Sequence, residues 1–148
     1  MKIIDISKAI SKVLSSKLNI KVFPEWEEKA ERPSLYIQCI DINKTYSTQG
    51  YILLKVSWDI HYIPKKINDS ANVEILEMLD NIDLAFDHYG KKYLKVLDRA
   101  ITLNNVTSRI VDNRGHYLFD TELNVPYGEI KEYELMQNLE LRQGGSNE

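Results

Sequence analysis

The chain has 148 residues, 19 basic against 22 acidic, three histidines and one cysteine. That is the length of one ordinary domain, able to bury about two thirds of its unfolded surface around a single core. The near-neutral charge, with basic residues scattered rather than gathered into a stripe, argues against nucleic acid or an acidic membrane surface as the main partner.

Near the N-terminus Ile3, Ile6, Ile10, Val13, Leu14 and Leu18 recur at helical spacing, with Ser7, Lys8, Ser11, Lys12 and Ser15 between them. The spacing predicts an amphipathic helix of about four turns that stops near Asn19. Lys2, Asp5, Lys8 and Lys12 interrupt any apolar signal-peptide core, and no stretch approaches the ~20 apolar residues that span a bilayer. A soluble chain made in the cytoplasm is expected. Lys21–Pro24 reads as a short strand, which Pro24 confines to an edge or an end. Glu25–Pro33, with four glutamates, Lys29 and Arg32, reads as a solvated loop. Trp26 stands out there: a large aromatic in a charged loop either folds back on the core or faces a partner.

Two strand-like runs follow, Leu35–Ile42 and Tyr51–Ile63. In the second, Ile52, Leu54, Val56, Trp58, Ile60 and Tyr62 share one parity, and Lys55, Ser57, Asp59 and His61 the other, the signature of a strand buried on one face. In the first, Leu35, Ile37 and Cys39 oppose Tyr36, Gln38, Ile40 and Ile42, so both faces are apolar enough to be covered. Cys39 is expected to be an inert core thiol, and a single cysteine forms no intrachain disulfide. The linking segment Asn43–Gly50 is longer than a usual hairpin loop, and Gly50 supplies a positive φ.

Pro64 ends the second run. Asn68, Asp69 or Ser70 can cap a helix carrying Ile75, Leu79, Ile82, Phe86 and Tyr89, flanked by Glu74, Glu77, Asp80, Asp83 and Asp87 and terminated by Gly90. Lys91–Arg99 reads as a linker or short strand. Ala100–Asp112 and His116–Tyr127 form a second hairpin around Asp112–Gly115, suited to a type I turn with a glycine bulge. Residues 129–142 are compatible with either a short helix or a strand, and 143–148 should be disordered. The order predicts one α+β domain over 1–142: a mainly antiparallel sheet of four or five strands with two main helices packed on it.

No catalytic apparatus is visible. His61, His88 and His116 lie in different segments, none with another His or Cys at metal-ligand spacing. His61 reads as a wet-face residue and His88 as a cation in the last helical turn, favoured by the dipole. There is no Gly-rich phosphate cradle and no G-x-S-x-G elbow. The carboxylates of the second helix fall on the face opposite Ile75 and Leu79, where a solvated face explains them. The tyrosines do not interleave with Lys and Arg as single-strand binders require.

The order of elements carries a resemblance. An N-terminal helix, Val22-Phe23-Pro24, a charged loop, Pro33-Ser-Leu-Tyr-Ile-Gln38, a long strand finishing Trp58-Asp-Ile-His-Tyr-Ile-Pro64, a second helix and a hairpin closing at Phe119-Asp-Thr-Glu-Leu-Asn-Val125 together resemble the tail terminator (tail completion) proteins of tailed bacteriophages and phage-tail-like particles. The resemblance implies a virion structural protein with no enzymatic activity and no cofactor. It implies a ring, usually a homohexamer, on the end of the tail tube, where it stops tube polymerisation and meets the head-side connector; in a contractile tail it also anchors the last sheath ring. In that setting Trp26 and Tyr46, with Ser47, Thr48 and Gln49 of the ribbon tip, are the expected contacts to neighbouring subunits or tube. A head–tail connector or neck protein, and a cytosolic ligand-binding domain, are the alternatives.

Overall fold

The computed structural model describes residues 2–26, 31–46, 50–65 and 71–126. The segments 66–70 and 127–148, which carry the expected helix caps and the helix-or-strand choice over 129–142, lie outside the described residues.

The first helix, α1 (Ile3–Leu18), buries Ile6, Ile10 and Leu14, as the spacing predicts. Asp5 accepts a hydrogen bond from the Lys2 backbone N–H at 2.7 Å and places a negative charge at the positive end of the dipole. Asn19 ends the helix in the left-handed region, at φ 51°. The strand β1 (Lys21–Phe23) follows, then β2 (Ser34–Tyr46) and β3 (Tyr51–Ile63). After α2 (Asn72–Ala85) come β4 (Asp87–His88), β5 (Lys91–Val96), β6 (Arg99–Val111) and β7 (Arg114–Pro126).

The sheet corrects the sequence-based expectation of four or five strands. Seven strands form one curled sheet in the order β1-β2-β3-β7-β6-β5-β4. Every pairing is antiparallel except β1 with β2. Strand makes up 56% of the described residues against 27% helix, so the fold is mostly sheet, a half-barrel with two helices. The extra strands come from residues 86–99. The helix ends at Ala85, four residues before the expected stop; Phe86, its backbone still in the right-handed helical region, packs on Tyr117 and Phe119 at centroid distances of 6.0 and 5.6 Å, and the chain enters β4 directly after it. Tyr89 and Gly90, both at positive φ, then make a two-residue turn, and β5 returns along β6. Gly90 is therefore a hairpin residue, and His88 is a strand residue stacked on Tyr93.

Two further corrections are local. Val111 pairs directly with Arg114, and Asp112 and Asn113 both have positive φ, as in a type I′ turn; Gly115 lies within β7 rather than in a bulge. Gly115 serves packing instead: a Cβ there would lie 2.9 Å from Ile75 Cγ2, so its absence lets α2 approach the sheet. In β2 a bulge between Cys39 and Asp41 shifts the register and reverses the parity. Leu35 and Ile37 face the core before it. After it Ile42, Lys44 and Tyr46 pair with Val56, Leu54 and Ile52 on the core-facing parity. The two apolar faces read from the sequence are one face interrupted by a bulge, and Cys39, at that bulge, is exposed rather than buried.

The core fills the space between the helices and the concave side of the sheet, with Trp58, Tyr62, Tyr117, Phe86 and Phe119 as its largest members. Two tyrosines tether α2 to the sheet: the Tyr62 hydroxyl donates to Glu74 and the Tyr117 hydroxyl to Asp83, each at 2.7 Å. Burial, with the hydrogen bond and charge of each carboxylate, pushes both phenols well above their ordinary value. The unfolded chain gives up these protons near pH 10 and the folded chain only at higher pH, so the stabilisation is complete below pH ~10 and lost above it. Urea denaturation from pH 9 to 11.5 should show stability falling above pH 10, by up to about 1.4 kcal/mol per pH unit for each tyrosine, with a shallower fall in Tyr62→Phe or Tyr117→Phe.

Candidate functional site

Two features on the sheet stand out, one at each end of the β2–β3 ribbon. At the far end, past the bulge, β2 runs beyond the cover of the rest of the molecule. Tyr46 is 67% exposed, Ile40 50%, Ile42 48% and Tyr51 46%. β1 pairs only with Ser34–Tyr36, so from Ile37 onward β2 is hydrogen-bonded along one side alone among the described residues. A long edge strand carrying exposed apolar side chains is a surface that soluble proteins ordinarily blunt. Gly50, at φ 77°, closes the tip as expected. Ser47, Thr48 and Gln49 lie outside the described residues.

At the near end the convex face is covered. Trp26 folds back, though onto the face opposite the helices rather than onto the main core. Its ring lies 5.4 Å from that of Tyr36, and the Arg114 guanidinium sits 4.5 Å above it. Trp26 is still 42% exposed. Tyr36 stacks on His61 at 4.1 Å, and His61 meets His116 edge-on at 4.4 Å. These contacts follow from register, since Tyr36 is paired with His61 and His61 with His116 across three neighbouring strands.

Beneath this aromatic row lies Asp59. Its Oδ2 is 3.1 Å from His61 Nε2 and 3.0 Å from His116 Nδ1, and Gln38 Oε1 is 2.8 Å from the same His61 nitrogen. Burial pushes the Asp59 carboxyl up, but the hydrogen bonds and charge of the two histidines outweigh it and hold the group below the usual carboxylate range. His61 is thus not the wet-face residue that alternation suggests: both it and Asp59 are 8% exposed. Spacing of His and Cys within one segment does not reveal this cluster, because one partner is a carboxylate two residues away on the same strand and the other comes from β7. Asp59-x-His61, both on one strand face, was the available signal.

The structure does not bring the expected contact residues together. Tyr46 is at the ribbon tip, whereas Trp26 packs at the ribbon base through Tyr36. No helix among the described residues is long and apolar enough to cross a membrane. Among the described residues, a depression of about 610 Å³ lies between α1 and the β5 end, lined by Lys8, Lys12 and Lys95, and a smaller one of about 400 Å³ is bordered by His61, His116 and Arg114.

Comparison with known proteins adds one finding. A family model described as "Phage tail terminator protein" matches residues 5–133. No curated protein matches the sequence.

Proposed function

This chain belongs to the phage tail terminator family, and from that premise we propose that it closes the head-proximal end of a tail tube as a ring of identical copies. Its role is that of a structural component of the phage tail. In this reading the ring, a homohexamer, ends polymerisation of the tube and presents the junction to the head connector; in a contractile tail it also holds the last sheath ring.

The observation that carries the reading is the apolar outer half of β2, with Ile40 and Ile42 about half exposed on a strand that, beyond Tyr36, is flanked by another strand on one side only among the described residues. A ring needs a heterologous contact, one patch of each copy against a different patch of the next. An apolar edge strand offers both halves of such a contact: side chains that lose water and backbone groups that can extend a neighbour's sheet. Trp26 and the tip residues Ser47, Thr48 and Gln49 are proposed to touch a neighbouring subunit or the tube.

Tails assembled with and without the protein and counted for length in negative stain test this directly. Overlong or ragged tubes without it, and tubes of uniform length ending in a ring when it is restored, are the expected result. Tails of normal length that fail to join heads would move the protein to the connector.

A further inference from the structure

We propose that Asp59, His61 and His116 form a binding site for a single divalent transition-metal ion of the zinc type. One donor atom from each residue falls within 4.8 Å of the others. Asp59 Oδ2 lies 3.1 Å from His61 Nε2 and 3.0 Å from His116 Nδ1. Ligands around a four-coordinate zinc, each about 2.0–2.1 Å from the ion, stand roughly 3.3 Å apart. The three atoms are therefore already spaced as neighbouring ligands of one small ion, and little movement is needed to admit it.

Two independent features favour an ion over a closed hydrogen-bonded trio. The first is charge. Asp59 is 8% exposed, and its only ion-pair partners among the described residues are the two imidazoles, which offset its charge only when protonated. The guanidinium of Arg114, a residue bordering the same cavity as the two histidines, sits over the face of Trp26. A cation bound between these atoms would offset that buried charge directly. The second is hydrogen-bond arithmetic. His61 Nε2 has two oxygens within reach, Gln38 Oε1 at 2.8 Å and Asp59 Oδ2 at 3.1 Å, but at most one hydrogen to share. An ion between these atoms uses both oxygens and the nitrogen lone pair together, with Gln38 Oε1 as the fourth ligand.

The donor set selects the metal. Two imidazoles and one carboxylate suit zinc, iron, nickel or copper, whereas magnesium and calcium take oxygen ligands. A cavity of about 400 Å³ bordered by His61, His116 and Arg114 gives the ion a route from solvent. Its placement indicates what the ion does: Asp59 and His61 belong to β3, His116 to β7 and Gln38 to β2, so one ion would cross-link three neighbouring strands at the near end of the β2–β3 ribbon.

The full-length chain, freed of metal with a chelator, is titrated with zinc chloride against a chromophoric competitor and with cobalt chloride by visible absorption. One equivalent bound, an absorption typical of a four-coordinate cobalt ion, and a thermal midpoint raised by several degrees are expected. The chain has three histidines, so their side-chain NMR signals report the site without any substitution: those of His61 and His116 should move with zinc while those of His88 stay. His61→Gln and His116→Gln should each weaken binding by at least ~100-fold, since loss of an outer-shell partner alone costs 10–100-fold. No stoichiometric binding, movement of His88 alone, or affinity unchanged in both variants would overturn the assignment.

Discussion

Replacing Trp58 by alanine should cost about 3–5 kcal/mol of unfolding free energy, a large part of the 5–15 kcal/mol that holds a typical domain folded. Trp58 is 2% exposed at the centre of the sheet's concave face and is paired across the ladder with Phe119. Its indole N–H donates to Thr121 Oγ1 at 3.1 Å, and that hydroxyl in turn donates to the Val56 carbonyl at 3.3 Å. Truncation removes an aromatic from a packed core, leaves a cavity the surrounding strands cannot collapse into, and strips one partner from a buried hydroxyl. Trp58→Phe keeps most of the volume and loses the indole donor, so a smaller loss, about 1–2 kcal/mol, is expected. Guanidinium unfolding of the two variants beside the parent checks both values. Equal losses would mean that the hydrogen bond to Thr121, not the aromatic volume, dominates at this position.

What the sequence made legible follows from how local each signal is. The helix Ile3–Leu18 and the buried parity of Ile52 to Tyr62 were readable because each is set by a period within one element. The strand count was not. Phe86 and Tyr89 prolong the helical pattern on paper up to Gly90, but Phe86 is anchored on Tyr117 and Phe119, aromatics about thirty residues away in sequence, and the chain turns into β4 directly after it. Tertiary packing overrode the local preference there: β4 stands where a helix end was expected, while β5 takes the short-strand alternative that Lys91–Arg99 left open. Alternation in β2 misled for a different reason. One bulged residue reverses every side chain after it, and nothing in Cys39-Ile40-Asp41 announces the bulge. The Asp59 cluster shows the same limit in chemistry: two of its residues are adjacent on one strand face, but the third arrives through the β3–β7 register, which a spacing rule within one segment cannot see.

The bulge also divides the core half of β2 from the half proposed to make the ring contact, a division that substitutions can exploit. Before it, Leu35 and Ile37 are core residues; after it, Ile40 and Ile42 are about half exposed and Tyr46 is 67% exposed. Replacing exposed residues that fill no cavity usually changes stability by no more than about 0.5 kcal/mol. The same residues in the centre of a protein interface each cost about 2 kcal/mol or more when truncated. A ring repeats the contact once per subunit, so a loss at one contact is incurred at every contact around the circle. The double variant Ile42→Glu/Tyr46→Ala should therefore unfold within about 1 kcal/mol of the parent yet leave tails overlong, as if the protein were missing, because it adds a charge and removes an aromatic at the proposed contact. Trp26→Ala, which loses the tilted ring contact with Tyr36 and the Arg114 contact, should shorten the lifetime of the proposed ring without abolishing it, since much of that side chain is already occupied within its own chain. Tail-length counts for the three proteins, taken beside their denaturation curves, decide the matter. A well-folded double variant that still yields uniform tails would remove the ribbon from the interface and leave the outer faces of the helices, where Ile4, Val73, Leu76 and Leu84 are exposed, as the surface to be tested for ring closure.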